Sequence, residues 1–274
     1  MVIYMIMRDT YGIHIRGKSK VDIKNAFEYA KKLGCSYVQM FNENVGDSDY
    51  IKKELIRNGL QLIIHAPYII NIASPFNPHS WRTKYFLLEI ENSINNGAIG
   101  FVVHMGKSLE LPKQKAYQNM FLTLRYICSK IPQNFLVYLE TTAGQGTELC
   151  YRMDDLGFFY NDIKKHKSMS NIKICLDTCH IFCAGNDIRT KKDIDIFIKN
   201  FDLLIGIDNI GLIHLNDSLN DIGTKLDRHT SIGQGFIGTT GLKYFYKFFA
   251  NKCIPVILET PPDNIVDDIK IISS

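Results

Sequence analysis

Short apolar runs alternate with longer amphipathic stretches from one end of the chain to the other. The short runs are rich in β-branched and aromatic residues and are bounded by turn-forming residues, which is typical of buried strands. We predict strands at residues 11–15, 37–41, 60–64, 100–103, 135–139, 172–176, 212–213 and 254–258. Helical periodicity predicts helices between them, most clearly at residues 21–33, 80–95, 115–130 and 242–250. The pattern indicates an α/β protein.

Eight strand candidates, each followed by a helix candidate, in a chain of 274 residues favour a (β/α)8 TIM barrel. No linker, low-complexity tract or change of composition divides the sequence, so we expect a single domain over residues 1–274. An open, doubly wound sheet is the alternative. That fold usually carries a glycine-rich phosphate turn after an early strand, whereas Gly144-Gln-Gly146 follows the fifth strand and lacks a third glycine. The barrel is the better interpretation.

Composition restricts the class of protein. A net charge of +4 is too small to indicate a nucleic-acid-binding protein by itself. Seven cysteines, with no CxxC pair, favour a reducing compartment, and we interpret Cys175, Cys179 and Cys183 as core residues. Arg8 and Asp9 interrupt the apolar N-terminus, which therefore resembles neither a signal peptide nor a membrane span. We expect a soluble, intracellular monomer without a membrane partner.

An ionisable residue stands directly after six of the predicted strands. Because the carboxyl ends of the strands meet at one mouth of a barrel, where barrel enzymes keep their chemistry, these side chains should converge there. One histidine or carboxylate in such a place is ordinary, but six in succession, with no Lys, Ser or Thr among them, indicate a site. They are His65, His104, Glu140, Asp177, His214 and Glu259.

The types of residue at these positions indicate a metal centre. Three imidazoles and three carboxylates in one cavity would repel and desolvate one another unless cations neutralised them. Nitrogen and carboxylate oxygen donors without thiolates suit zinc or manganese, whereas magnesium and calcium prefer oxygen donors nearly throughout.

Two further motifs lie near the same mouth. Asp177-Thr-Cys-His180 is either an ordinary helix start with a buried imidazole or a pair of metal ligands. Asp227-Arg-His229 lies in the long loop after the seventh strand, and residues two apart face one way where a loop is extended. With these motifs the candidate ligands number nine. At three or four ligands per ion, with one carboxylate shared, they fit three metals better than one or two, which favours ligation by Asp177 and His180 to different ions of one cluster.

Longer motifs around these residues resemble one known family. The matching stretches are HAPYIINIAS at 65–74, LETTAGQG at 139–146, LDTCHIFCAGNDIRT at 176–190, HLNDS at 214–218, DRH at 227–229 with IGQG at 232–235, and LET at 258–260. In order, and over nearly the whole chain, they resemble the endonuclease IV family of zinc-dependent apurinic/apyrimidinic endonucleases.

The resemblance implies a cofactor of three zinc ions, with Mn²⁺ as an alternative at one site, and it implies which residues hold them. We predict Glu140, shared between two ions, as the catalytic residue. The implied groups are His65, His104 and Glu140 for one ion; Glu140, Asp177, His214 and Glu259 for a second; and His180, Asp227 and His229 for the third.

The resemblance also implies a reaction and a partner. Paired divalent ions lower the pKa of bound water and stabilise both the attacking and the departing oxygen of an in-line displacement at phosphorus. The partner would be double-stranded DNA containing abasic sites. The implied reaction is hydrolysis of the phosphodiester bond 5′ to an abasic site, which leaves a 3′-hydroxyl and a 5′-deoxyribose phosphate in base excision repair.

Contacts to DNA are predicted for Tyr68, Asn71 and Arg228. Tyr68 is a candidate for packing against the opened duplex or the extruded sugar. A rim tyrosine that only covers the metal cluster fits the sequence equally well. Asn71 and Arg228 are candidates for phosphate contacts.

The sequence departs from the family pattern in segments that would grip DNA. Residues 41–46 read FNENVG, without the Arg and Trp usual after the second strand, and His104 is followed by Met105-Gly-Lys-Ser108 instead of a Pro-Gly turn. None of the departures touches a candidate ligand. His14, on the first strand, is a candidate for supporting the ligands from behind.

Two other functions are compatible with parts of the pattern. A sugar isomerase or epimerase would need only Glu140, Asp177, His214 and Glu259 to bind one or two divalent ions. It leaves the other candidate ligands unexplained, and it expects a catalytic lysine or a second pair of glutamates. A non-catalytic DNA-binding module with structural zinc is the second alternative, although structural zinc sites are closed, usually thiolate-rich cages. Zinc content distinguishes the first from a nuclease, and cleavage of abasic DNA distinguishes the second.

Overall fold

Eight parallel strands close into a barrel in the computed structural model, which describes residues 10–42 and 47–274. The predicted TIM barrel is therefore confirmed. The barrel strands are β1 (Tyr11–His14), β2 (Tyr37–Phe41), β3 (Gln61–His65), β4 (Ala98–His104), β5 (Leu136–Glu140), β6 (Ile172–Asp177), β7 (Ile210–His214) and β10 (Val256–Leu258). Their order around the barrel is β1-β10-β7-β6-β5-β4-β3-β2. Two short strands outside the barrel, β8 (Asp217–Ser218) and β9 (His229–Thr230), pair antiparallel.

Helices follow the strands and begin at residues that suit a helix N-terminus. Ser19, Ser80 and Thr190 each accept a hydrogen bond from a backbone N–H in the first turn of the helix that follows, which satisfies one of the donors that a helix start leaves free. The helices are α1 (Lys20–Lys32), α2 (Ser48–Asn58), α3 (Trp81–Asn95), α4 (Lys113–Cys128), α5 (Met153–Lys164), α6 (Thr178–Cys183), α7 (Lys191–Leu204), α8 (Gly238–Ala250) and α9 (Ile265–Ser273).

Five strands extend one residue beyond the carboxyl end of the apolar run that predicts them, whereas β1 ends one residue earlier than predicted and β10 begins two residues later. His65, His104, Glu140, Asp177 and His214 are the last residues of their strands and are not the first residues of the loops. Backbone pairing places His104 level with Glu140 and Asp177 level with His214. The ladder of hydrogen bonds does not depend on side-chain polarity, so it continues into the polar end of each run.

The interior of the barrel is filled below this polar layer. The plug consists of side chains that are at most 1% exposed: Ile63, Val102, Tyr138, Cys175, Leu212 and Ile257. Each precedes a candidate ligand by two residues, and alternate residues of a strand point to the same side. The candidate ligands therefore point into the barrel and rest on an apolar floor.

The Tyr138 ring, which forms part of this floor, packs directly against two glycines. A Cβ at Gly100 would lie 2.5 Å from the Tyr138 ring, and one at Gly211 would lie 2.9 Å from it. The close approach of both strands to this ring leaves no space for a side chain at either position.

The predicted core positions of three cysteines can be compared with the structure. All seven cysteines are free, and Cys175, Cys179 and Cys183 are buried as predicted, whereas Cys253 is exposed. Within residues 10–42 and 47–274, no helix combines the length and apolarity needed to cross a bilayer.

Candidate metal centre

The nine side chains predicted as ligands meet at the carboxyl-terminal mouth of the barrel. Their donor atoms form three groups in which all atoms lie within 4.8 Å of one another. Glu140 belongs to two of the groups, and the membership of all three is the one that the family resemblance implies. The first group is His65, His104 and Glu140; the second is Glu140, Asp177, His214 and Glu259; the third is His180, Asp227 and His229.

The first group is built around one oxygen of Glu140. Glu140 Oε2 lies 3.0 Å from His65 Nε2 and 3.1 Å from His104 Nε2. Glu140 is 1% exposed and ends β5, which is the neighbour of β4 with His104, while His65 lies one strand further, on β3. Two imidazole nitrogens and a carboxylate oxygen thus face one point.

The second group uses the other oxygen of Glu140. Glu140 Oε1 lies 3.0 Å from His214 Nδ1, which is also 3.2 Å from Glu259 Oε2 and 4.0 Å from Asp177 Oδ2. Glu140 therefore divides its two oxygens between neighbouring groups, as a carboxylate that bridges two cations does.

Asp177 satisfies both readings of the Asp177–His180 motif. Its Oδ1 accepts the backbone N–H of His180 at 2.9 Å and caps the start of α6. Its Oδ2 faces the mouth, where it accepts a hydrogen bond from Asn216 Nδ2 at 2.6 Å. One oxygen of Asp177 therefore caps the N-terminus of α6, and the other belongs to the second group.

The third group depends on the hairpin formed by β8 and β9. The pairing of Ser218 with His229 carries the loop over the mouth, where Asp227 Oδ1 lies 3.1 Å from His229 Nε2. Asp227 Oδ2 lies 3.1 Å from His180 Nε2, one helical turn beyond β6. Although both imidazole nitrogens are close to the carboxylate, neither is aligned for a hydrogen bond, and both are buried without a hydrogen-bond partner. Such orphaned nitrogens fit a metal ion.

Hydrogen bonds on the far side of two imidazoles determine which nitrogen faces the centre. The Nδ1 of His65 donates to the carbonyl of Ala66 at 2.8 Å, and the Nδ1 of His180 donates to that of Thr141 at 2.7 Å. A carbonyl oxygen only accepts, so the proton of a neutral ring lies on Nδ1 and the lone pair of Nε2 points to the carboxylates. A lone pair opposite a carboxylate is unfavourable without a cation between them. The donor geometry thus fits divalent ions.

The charges of the centre shift the pKa values of its groups. Burial alone would raise the pKa of Glu140, but the imidazoles of His104 and His214 hold it well below its usual range. For His229, burial lowers the pKa, whereas the nearby Asp177 carboxylate raises it, and the net result is a rise to about 9. Glu140 is thus held in its charged form, and its surroundings require positive charge from protons or cations.

One sulfur also lies near the centre. Cys179 Sγ lies within 4.8 Å of donor atoms of Asp177 and His229. Its hydrogen bond with Cys183 and its burial both raise the pKa of the thiol. Since the thiolate is the form that binds metals, the raised pKa supports the interpretation of Cys179 as a core residue.

Two buried amides that support the ligands were not identified from the sequence. Gln39, on β2, contacts His214 and Glu259. Asn216 Oδ1 accepts the backbone N–H of Glu259 at 3.0 Å, while its Nδ2 holds Asp177. The sequence does carry a signal for the first of these: Gln39 is a polar residue in the middle of the apolar strand YVQMF. His14, the sequence candidate for support, lies with its Nδ1 3.0 Å from Gln39 Nε2.

A third supporting residue, Asp217, organises the loop that follows Asp227 and His229. Its carboxylate is fully buried and accepts hydrogen bonds from the backbone N–H groups of Ser218, Gly233, Gly235, Ile237 and Gly238, at 2.8–3.3 Å. A Cβ at Gly235 would lie 2.6 Å from this carboxylate, so glycine is required there. The sequence shows the glycines but not their common acceptor.

Tyr68 lies over the first group. Its side chain is 80% exposed, and its ring centroid is 5.8 Å from that of His104 and 6.2 Å from that of His65. The ring therefore covers the two imidazoles and presents its other face to solvent. This position is compatible with both interpretations of Tyr68, contact with DNA and cover for the cluster.

The other two residues predicted to contact DNA, Asn71 and Arg228, differ in exposure and in how many hydrogen bonds their side chains make within the protein. The amide of Asn71 is already engaged: Oδ1 accepts from the N–H groups of Ala73 and Lys107, and Nδ2 donates to the Lys107 carbonyl. This favours a role in holding the segment after His104. Arg228 is exposed and lines, with Lys107, a groove of about 380 Å³ over the mouth. Residues 43–46 of the divergent FNENVG segment lie outside the described residues.

Comparisons with known proteins match this chain over most of its length. A family model described as xylose isomerase-like TIM barrel matches residues 27–274. The protein named Probable endonuclease 4 in Staphylococcus saprophyticus is 36% identical over 266 residues, covering 91% of this chain and 87% of that protein. The apurinic-apyrimidinic endonuclease of Caenorhabditis elegans is 30% identical, covering 95% of this chain and 68% of that protein.

A solved structure agrees with these sequence relatives. The endonuclease IV from Thermus thermophilus has a TM-score of 0.79 and 25% identity, and the match covers 96% of this chain and 97% of the other. The Staphylococcus saprophyticus protein and this structure are both covered over most of their length, so the likeness extends beyond a part of the barrel. The chain belongs to the endonuclease IV family.

Proposed function

We propose that this protein is a DNA repair endonuclease that hydrolyses the phosphodiester bond 5′ to an abasic site in double-stranded DNA. The products are a 3′-hydroxyl and a 5′-deoxyribose phosphate, as expected in base excision repair. The observation that carries the proposal is the convergence of nine nitrogen- and oxygen-bearing side chains into three groups, two of which share Glu140. The names of the relatives supply the substrate class.

Three zinc ions are the proposed cofactor, with Mn²⁺ as an alternative at one site. Each group offers three or four donors of the kind that zinc accepts, with no thiolate among them. The unpartnered Nε2 atoms of His180 and His229 support this assignment. When bound, divalent ions lower the pKa of water and stabilise the charge on the attacking and departing oxygens of a phosphoryl displacement.

The residues of the chain would hold and orient the reacting groups. Glu140 sets the separation of the first two groups, because one carboxylate serves both. We assign it the catalytic role for that reason. Tyr68 presents an aromatic face beside the first group, where an unstacked sugar or base has a surface to pack on. Arg228 is exposed between two ligands of the third group, within reach of a phosphate that binds over the mouth.

A sugar isomerase or epimerase remains the second candidate, because the second group alone would bind the one or two ions that such an enzyme needs. It does not account for His65, His104, His180, Asp227 and His229 at the same mouth. Placing five further ionisable groups together at a mouth where His65 and His180 are buried is costly unless they are used. The two candidates differ in the expected zinc content, about three ions per chain for the nuclease and one or two for the epimerase.

Metal analysis and an incision assay test the proposal together. Purified protein should carry about three zinc ions per chain. It should cut an end-labelled duplex at its single abasic site, on the 5′ side, and leave the intact duplex uncut. Metal-free protein should be inactive and should regain activity when zinc returns. Full incision by the metal-free protein, or cleavage 3′ to the site, would contradict the proposal.

A pair of variants separates loss of metal from loss of fold. Glu140→Gln weakens the donor shared by two groups, so zinc content and incision should fall together. Glu54→Gln removes the charge of another buried carboxylate, on the outer helix α2, and should leave both unchanged. Equal zinc loss in the two variants would mean that general destabilisation, not ligation, explains the effect.

A further inference from the structure

The ring of polar side chains at the mouth is complete, with one residue from each barrel strand or from the position after it. Six strands contribute candidate ligands, whereas β1 contributes His14 and β2 contributes Gln39, which belong to none of the three groups. Gln39 is 0% exposed and stands between Val38 and Met40, which face the helices. A buried amide is tolerated only when its hydrogen bonds are made.

All the polar atoms of the Gln39 amide are engaged. Oε1 lies 2.8 Å from His214 Nε2, and Nε2 lies 2.6 Å from Glu259 Oε1 and 3.0 Å from His14 Nδ1. Glu259 is a carboxylate that only accepts, so the amide nitrogen must face it and the amide oxygen must face His214. The reversed amide would place two oxygens in contact at 2.6 Å.

The orientation of the Gln39 amide determines the tautomer of His214 and which oxygen of Glu259 faces the second group. Because Gln39 Oε1 only accepts, the neutral ring of His214 carries its proton on Nε2, and the lone pair of Nδ1 then points to Glu140 Oε1 at 3.0 Å and Glu259 Oε2 at 3.2 Å. Glu259 Oε1 is held by the amide, which leaves Oε2 to face the same point. The single amide of Gln39 therefore orients two candidate metal-binding atoms, His214 Nδ1 and Glu259 Oε2.

We propose that Gln39 is a positioning residue for the second group, which selects the tautomer of His214 and the rotamer of Glu259 and thereby sets the affinity of that group for its divalent ion. The proposal rests on the proposed metal centre. It concerns one group of the three, because no described hydrogen bond links Gln39 to His65, His104, His180, Asp227 or His229. Partners of this kind alter metal affinity by about 10–100-fold in known sites.

The test is zinc retention against chelators of increasing strength. Gln39→Met keeps the length of the side chain and removes its polar atoms. We expect the wild-type protein to hold about three zinc ions and Gln39→Met to release one of them at a free-zinc level about 10–100-fold higher than the wild type requires. The other two ions should be released as in the wild type. With cobalt(II) in place of zinc, the visible spectrum of one ion should change.

Two further variants keep the test decisive. Asn171→Leu removes another buried amide, at the opposite end of the barrel, and controls for general destabilisation. Gln39→Glu keeps the acceptor for His214 but places a second carboxylate oxygen against Glu259, so it should also release one zinc ion more readily than the wild type. It also provides a soluble alternative if the methionine variant does not fold.

The outcomes separate this inference from the proposed function. A wild-type protein with one zinc ion or none would overturn the metal centre itself. If the wild type holds three ions while both Gln39 variants follow the retention curve of Asn171→Leu, Gln39 is only a packing residue and the inference fails alone.

Discussion

The Asp217 carboxylate offers a direct test of how the loop over the mouth is held. Its two oxygens accept hydrogen bonds from five backbone N–H groups, one at Ser218 and four within residues 233–238, and no described lysine, arginine or histidine forms an ion pair with it. Asp217→Asn keeps the size of the side chain and replaces one oxygen by an amide nitrogen. That nitrogen would face donors instead of accepting from them.

The expected cost follows from the bonds that asparagine cannot make. With its oxygen in the position of Oδ1, the amide nitrogen faces the N–H groups of Gly233 and Gly235, which the native Oδ2 binds at 2.8 and 3.1 Å. A hydrogen bond to a charged acceptor contributes about 1.5–3 kcal/mol, and leaving a donor unsatisfied has a similar cost. Water can reach part of this turn, so we expect the free energy of unfolding to fall by about 2–4 kcal/mol.

Urea unfolding of the metal-free protein measures this change without a contribution from bound ions. Hydrogen exchange should show the loss of protection concentrated in residues 217–238. Asp221→Asn is the matched control, because Asp221 lies in the same connection but is exposed, and its replacement should change stability by no more than about 0.5 kcal/mol. If Asp217→Asn behaves like this control, the carboxylate does not organise the loop.

Two predictions concern DNA binding. Lys107 is half exposed beside the mouth, with its Nζ 3.3 Å from Glu148 Oε1. Since an exposed lysine at this place can neutralise one DNA phosphate, Lys107→Gln should reduce the slope of log K against log salt by about 0.9. Lys130→Gln, after the carboxyl end of α4, should not change the slope, and an unchanged slope in both variants would place Lys107 outside the interface. Tyr68→Ala should weaken binding to an abasic duplex by about 1–3 kcal/mol and leave zinc content unchanged, while Tyr68→Phe should bind normally. If Tyr68→Ala instead loses zinc and binds DNA as before, the ring serves only as a cover for the cluster.

The barrel and the polar mouth can be predicted from the sequence because both follow from local patterns. Apolar runs mark the strands, and parallel topology then places whatever follows each run at one rim. His104 and Glu140 illustrate the rule, since they are far apart in the chain and side by side on neighbouring strands. Five strands end one residue beyond the predicted bound because the hydrogen-bonded ladder continues into a polar position.

The supporting contacts cannot be predicted in this way, because they depend on which strands become neighbours. Gln39 binds Glu259 only because the chain closes into a ring, which brings positions 220 residues apart together. Asn71 shows the converse case: its place in a loop suggests a free amide, but the fold supplies Lys107 as a partner. A residue type indicates what a side chain can bind, and the tertiary structure decides what it meets.

The position of β10 has a consequence for biosynthesis. This strand joins β1 to β7 and is followed at once by Glu259, so the segment that closes the barrel also delivers the last member of the second group. A nascent chain on the ribosome would possess the residues of the first group long before those of the second. The proposed cluster could therefore be completed only after Glu259 has been synthesised, and a chain truncated before this residue would lack one member of the second group.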